Sequence, residues 1–151
     1  MQSRHQHVRP AHAGSGRRTP VAELVADVLL RRFPSAASPV GVAVGGPGGT
    51  GKSTFARKLA RGLGNATVLE LDAYKTPREV RRQADLYGPH PEANRMTLIA
   101  RHLEALRSGR TIDKPVYDRT TGTGHRTEPF EPAPWIVIDG EVSTYACLRD
   151  R

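Results

Sequence analysis

One cysteine, Cys147, stands in the whole chain, so an internal disulfide is excluded and a reducing cytosol is compatible with it. Aromatic residues are scarce, at 5%, and none interleaves with basic residues as a base-stacking platform would require. A nucleic-acid partner is therefore disfavoured despite the basic balance. No apolar run approaches the ~18–20 residues a membrane helix needs, so a membrane role is not expected. The arginines at positions 4, 9, 17 and 18 precede no apolar segment, so a secretory signal is not expected either. The expected location is the cytoplasm. Acidic residues are absent from residues 1–18, which carry four arginines and about half of the net charge of +8.

What is present suits one folded domain. The 151 residues are 37% hydrophobic and 25% charged, enough for a real core in a single unit. Residues 1–18 show no apolar period and are expected to form a flexible basic tail, its His5, His7 and His12 solvated rather than metal-bound. Residues 19–151 form the domain.

Thr19-Pro20 reads as a helix start, with Thr19 as cap and Pro20 in the first turn. Val21, Leu24, Val25, Val28 and Leu29 then make one apolar stripe, ending near Phe33-Pro34. Val40–Val44 is a short continuous apolar run, the mark of a strand buried on both faces. A helix follows with Phe55, Ala56, Leu59, Ala60 and Leu63 on one face, and Gly62 and Gly64 can end it. A second strand is expected over Thr67–Leu71 and a charged helical connection from Pro77 to Leu86. A long helix runs from His90-Pro91 to Ser108, with Met96, Ile99, Leu103 and Leu106 buried. Pro115–Tyr117 reads as extended, Thr120–Pro134 as a loop, and Trp135–Ile138 as a third strand. Strands alternating with helices predict an α/β three-layer fold with a mainly parallel sheet.

Between the first strand and its helix lies Gly46-Pro47-Gly48-Gly49-Thr50-Gly51-Lys52-Ser53, followed by Thr54. It matches G-x-x-x-x-G-K-[ST], the phosphate-binding P-loop. Glycines let successive N–H groups turn toward phosphate oxygens, and the following helix offers unpaired amides at its positive end. Lys52 neutralises the β- and γ-phosphates, and the Ser53 hydroxyl can ligate magnesium. A chance glycine-rich turn would not sit between a buried strand and an amphipathic helix. The ligand is expected to be a nucleoside triphosphate, ATP with Mg2+.

Two acids end strands on the same side. Asp72 follows Val68–Leu71, and Asp139 follows Ile136–Ile138. Ligands of parallel sheets lie beyond the strands' carboxyl ends. One carboxylate can orient the metal and the other can take a proton from a hydroxyl. Each could instead cap a turn, but two such acids beside a P-loop favour chemistry. Glu141 is a weaker alternative acid.

These elements together resemble the uridine kinase and phosphoribulokinase group of P-loop kinases, from Val40 to Glu141. Leu71-Asp72-Ala73-Tyr74-Lys75 is similar to that group's "LDxYYK". Tyr87-Gly88-Pro89-His90-Pro91-Glu92-Ala93-Asn94 resembles both the uridine kinase "NFDHPDAFD" region and the phosphoribulokinase "GPEAN" stretch. Pro115-Val116-Tyr117-Asp118 resembles "PxYD", and Trp135–Gly140 resembles a strand ending in "EG". The resemblance implies γ-phosphoryl transfer from ATP to a hydroxyl of a nucleoside. Asp72 would be the base, Lys52 the phosphate-binding cation, and Ser53 and Asp139 the magnesium ligands. Tyr74, His90, Tyr117, Asp118, His125 and Arg126 would lie near the acceptor.

Three departures qualify that expectation. Pro89 stands where uridine kinases carry a sugar-contacting aspartate, and His125-Arg126 is shifted from the family's histidine. Kinases of this group also continue into an arginine-bearing lid and further strands, whereas this sequence stops at Arg151. The resemblance therefore implies the N-terminal two-thirds of such a kinase, with a sheet edge or apolar face open to self-association. Two alternatives stay open: a non-catalytic or partner-dependent ATP-binding module, and phosphoribulokinase-like phosphorylation of a sugar phosphate.

Overall fold

Three apolar runs become parallel strands: β1 (Val40–Val44), β2 (Ala66–Glu70) and β5 (Trp135–Asp139). The computed structural model describes residues 20–34 and 37–149. The tail over residues 1–18 and the Thr19 cap lie outside them. β5 is the middle strand, in the order β1-β5-β2, and every one of its residues is buried. Trp135 stands opposite both Val40 and Ala66, and Asp139 stands opposite both Val44 and Glu70. The three carboxyl ends therefore finish level, on one edge of the sheet.

Helices cover both faces, so the expected three layers form. α1 (Val21–Arg32) and α2 (Lys52–Leu63) pack on one side, against Val42, Val68, Trp135 and Val137. α4 (Met96–Arg107) packs on the other, where Ile99, Leu103 and Leu106 meet Leu69, Ile136 and Ile138. α3 (Arg78–Gln83) and α5 (Ala146–Arg149) are short.

α1 buries a different stripe from the one its sequence suggests. Val21, Leu24 and Val28 are more than half exposed, while Ala22 and Ala26 are buried. The reason is the partner surface. A Cβ placed on Gly62 would come within 2.8 Å of the Ala26 Cβ, so the two helices approach where both side chains are minimal. Gly62 is thus a packing residue inside α2, and Gly64, at φ 81°, ends the helix. Gly62→Leu is expected to force the helices apart at a cost of about 1–3 kcal/mol. Thermal unfolding would register this as a fall of several degrees, and an unchanged midpoint would mean the contact is not close.

β1 also departs from expectation. Val40, Val42 and Val44 are partly buried on the α1–α2 side, but Gly41 and Ala43 are exposed. β1 is an edge strand, and its second face opens on a groove of about 380 Å³ floored by Gly41, Ala43, Ile136 and Ile138.

The segment expected to be a loop after Thr120 contains a strand. β3 (Ile112–Asp118) and β4 (Thr123–Phe130) form an antiparallel ribbon apart from the main sheet. Most β4 side chains are exposed, so its Thr, Gly and charged residues show none of the apolar alternation that marks a half-buried strand. The helix expected from His90 divides in two, a 3₁₀ turn over Pro91–Ala93 and then α4. No helix of the described residues is long and apolar enough to cross a membrane.

Candidate active site

The glycine-rich segment leaves β1 at Val44 and enters α2 at Lys52. Gly46, Gly49 and Gly51 take φ of 149°, 78° and 83°, a region that side chains resist, which is why the loop needs glycine there. The Thr50 hydroxyl donates to the Pro47 carbonyl at 2.8 Å and braces the curl. Lys52 and Ser53 open α2, so their backbone amides lie in its first turn, where no intrahelical carbonyl reaches them. Thr54 is exposed, one position further along.

Asp139 sits across the strand ends from Val44 and is only 5% exposed. Its Oδ1 is buried and has no hydrogen-bond partner within the protein. A buried carboxylate oxygen without a donor is costly unless something else meets it. A hard cation fits that vacancy of partners. Among the described residues no cluster of three or more His, Cys, Asp or Glu could hold a metal alone. Magnesium is commonly bound by one or two protein oxygens and completed by substrate phosphates and water. Ser53 and Asp139 are the residues that would hold it.

Asp72 does not end β2. It lies in a 3₁₀ turn, Leu71–Tyr74, just beyond the strand. Its side chain is 60% exposed and forms the wall of a cleft of about 420 Å³. Lys75, Arg81, Lys114, Tyr117 and Arg119 line the same cleft. Arg81 donates to the Tyr117 hydroxyl at 2.9 Å and to the Thr76 carbonyl at 3.0 Å. Lys114 pairs with Glu128 at 2.6 Å.

The other candidate acceptor residues fall elsewhere. Tyr74 is fully buried, and its hydroxyl lies 2.8 Å from His102 Nδ1 in the core rather than in the cleft. Burial pushes its phenol well above the ordinary value, and burial likewise lowers the His102 pKa, helped by the nearby Arg101 charge. His90 accepts from the Glu92 amide at its Nδ1 and so caps the turn that follows. Asp118 accepts from the amides of Thr120 and Thr121, which hold its carboxyl below the usual range. His125 and Arg126 are exposed on β4. Of the six, Tyr117 alone lines the cleft with Asp72.

The structure adds Lys75 to the site and brings it against Glu141, the weaker alternative acid of the sequence. Lys75 Nζ lies 3.4 Å from Glu141 Oε2, 3.1 Å from the Gly88 carbonyl and 3.9 Å from Asp72 Oδ1. Glu141 Oε1 in turn lies 3.5 Å from where a Cβ on Gly48 would stand, so this carboxylate reaches the glycine-rich loop. Its position two residues after the Asp139 strand end was the only signal of this in the sequence.

Residues 41–146 match the Phosphoribulokinase / Uridine kinase family. The chain belongs to that family. It is 37% identical over 102 residues to a phosphoribulokinase from Synechocystis sp., covering 66% of this chain and 31% of that protein. It is 30% identical over 110 residues to a uridine kinase from Leuconostoc citreum, covering 68% and 52%. The solved structure of a possible uridine kinase from Bacillus stearothermophilus superposes with a TM-score of 0.68 over 83% of this chain and 74% of that one, at 17% identity. The P-loop kinase fold is thus shared. The chain spans about a third of the first relative and about half of the second.

Proposed function

We propose that this chain carries the nucleotide site and the proton-accepting base of an ATP-dependent kinase acting on a sugar hydroxyl. The observation that supports it most is the alignment of strand ends. Val44, Asp139 and Glu70 finish level, which sets the glycine-rich loop, a buried unpartnered carboxylate oxygen and the Asp72 cleft along one edge. Lys52 and the loop amides would hold the β- and γ-phosphates. Asp72 would accept the acceptor's proton as its oxygen attacks the γ-phosphorus. Magnesium, when bound at Ser53 and Asp139, supplies charge neutralisation at the phosphate oxygens.

The acceptor is the finer question. Nucleosides and sugar phosphates are both represented in the names of the relatives. Support for an anionic acceptor comes from Arg81 and Arg119 on the cleft wall; the cleft's Lys75 and Lys114 are already paired with Glu141 and Glu128. Burial of Tyr74 and the capping role of His90 remove two groups that a nucleoside reading relies on. We therefore favour a sugar phosphate, with a nucleoside as the second reading on the strength of Tyr117.

Magnesium-dependent ADP formation by the purified chain, with a panel of sugar phosphates and nucleosides, tests this. ADP formation that depends on a sugar phosphate is the expected result. Dependence on a nucleoside would transfer the proposal to the second reading. ATP binding with no acceptor-dependent turnover would instead support a binding module that needs a partner.

A further inference from the structure

We propose that Lys75 is a catalytic residue, the cation beside the phosphoryl group in transit between the acceptor and the glycine-rich loop. The proposal rests on the kinase reading above and goes beyond it by assigning the charge that meets the transferring group.

Position is the first argument. The Lys75 ammonium lines the acceptor cleft and lies 3.9 Å from the proposed base, Asp72. On its other side, 3.4 Å away, is Glu141, whose second oxygen borders Gly48 of the phosphate loop. Glu141 thus touches both Lys75 and the edge of the phosphate loop, and Lys75 also lines the cleft that would take the acceptor. In the proposed transfer the phosphoryl group moves from the loop toward that cleft, past the side on which Lys75 stands.

Rigidity is the second argument. The Lys75 side chain is only 14% exposed, although lysine is ordinarily a solvated surface charge. Its backbone bridges to Asn94, and the flanking Arg95 and Thr76 amides bond across to Tyr74 and Ala93. The Asn94 amide donates to Gly88 and His90, fixing the loop whose Gly88 carbonyl takes one Lys75 proton. A charge held in place and partly shielded from water acts more strongly on a developing charge than one that must reorganise.

The transfer step then balances. The bond from the γ-phosphorus to the oxygen bridging it to ADP breaks, and a bond to the acceptor oxygen forms. The acceptor's proton passes to Asp72, leaving ADP and a phosphate ester. Lys75 gives up no proton; it lies against the equatorial oxygens, where the charge of the transition state is spread. The competing role for Lys75 is that of a strut, pinning Glu141 and the Gly88 loop without touching the reacting group.

The test uses the full chain and its K75M and K75R variants. Three quantities are measured: affinity for MgATP, acceptor-dependent ADP formation, and the gain in ADP affinity on adding aluminium fluoride, a planar phosphoryl mimic that needs no turnover. K75M should lower kcat about a hundredfold or more, the usual loss for one transition-state donor, and keep ATP affinity within about twofold. It should also abolish the fluoride-dependent gain, and K75R, which keeps the charge, should restore part of both. Retention of kcat or of the fluoride gain by K75M overturns the proposal. So does a loss of MgATP affinity in K75M as large as its loss of kcat, because a strut that shapes Glu141 and the Gly88 loop beside the phosphate loop would be felt in ground-state binding as well. If the unaltered chain binds no MgATP and shows no fluoride gain, the kinase reading itself fails, and the role of Lys75 falls with it.

Discussion

Lys52→Ala is expected to weaken MgATP binding by about 2–3 kcal/mol, on the order of a hundredfold in Kd, with little change in thermal stability. The size follows from what the side chain meets. Lys52 is the first residue of α2, so in the proposed role its backbone amide and the helix's positive end would face the phosphates, and the ammonium would add a full charge to them. Alanine keeps the helix, since it is the best helix former, and leaves the loop glycines and the Thr50–Pro47 brace untouched. Only the charge is lost. Titration of a fluorescent ATP analogue into both proteins measures it, and unaltered affinity would remove the phosphates from this loop. Lys52→Arg would keep the charge, but its wider planar head does not fit a cradle shaped by close backbone, so only partial recovery is expected.

Legibility in the sequence followed the range of the interactions involved. The glycine-rich loop is contiguous, and each of its residues answers a local demand, so residue types alone located it between β1 and α2. β5 and the buried stripe of α4 were equally plain, because continuous burial and a 3.6-residue period are written into neighbouring positions, although α4 starts at Met96 rather than at His90. β4 was not, since an exposed ribbon strand needs only a partner, and that partner, β3, lends its backbone rather than any apolar pattern. The α1 stripe misled for a related reason. Ala22 and Ala26 outcompete larger apolar residues because Gly62, on another helix, lets them come close. The Lys75–Glu141 contact joins residues 66 positions apart, and no local spacing announces it. The cleft proposed for the acceptor is built largely from contacts of this second kind. Tyr74 and His90 read as acceptor residues by motif, whereas the fold turns one to His102 and the other to its own following turn.

Asp72→Asn should leave MgATP affinity within about twofold of the unaltered protein and lower acceptor-dependent transfer by 10²- to 10⁴-fold, the usual range for a lost general base. The substitution is nearly isosteric at a side chain that is 60% exposed, so folding gives no competing explanation. The two outcomes separate because Asp72 stands beyond β2, on the acceptor cleft, while the phosphate loop begins at β1. An amide keeps one acceptor oxygen in the same place, with a donor NH2 in place of the other, but cannot take the hydroxyl proton, so the acceptor still binds and the loss falls on kcat rather than KM. The local charge balance sharpens the expectation. Removing the negative charge leaves Lys75, Arg81 and Arg119 facing the cleft with one counter-charge fewer, so an anionic acceptor should bind D72N at least as well as before. A neutral nucleoside would gain nothing from that change. Acceptor affinity measured on D72N by calorimetry therefore reports on the acceptor's charge, while the loss of turnover reports on the base. Equal losses of ATP binding and transfer would count against the base assignment and place Asp72 with the phosphates instead.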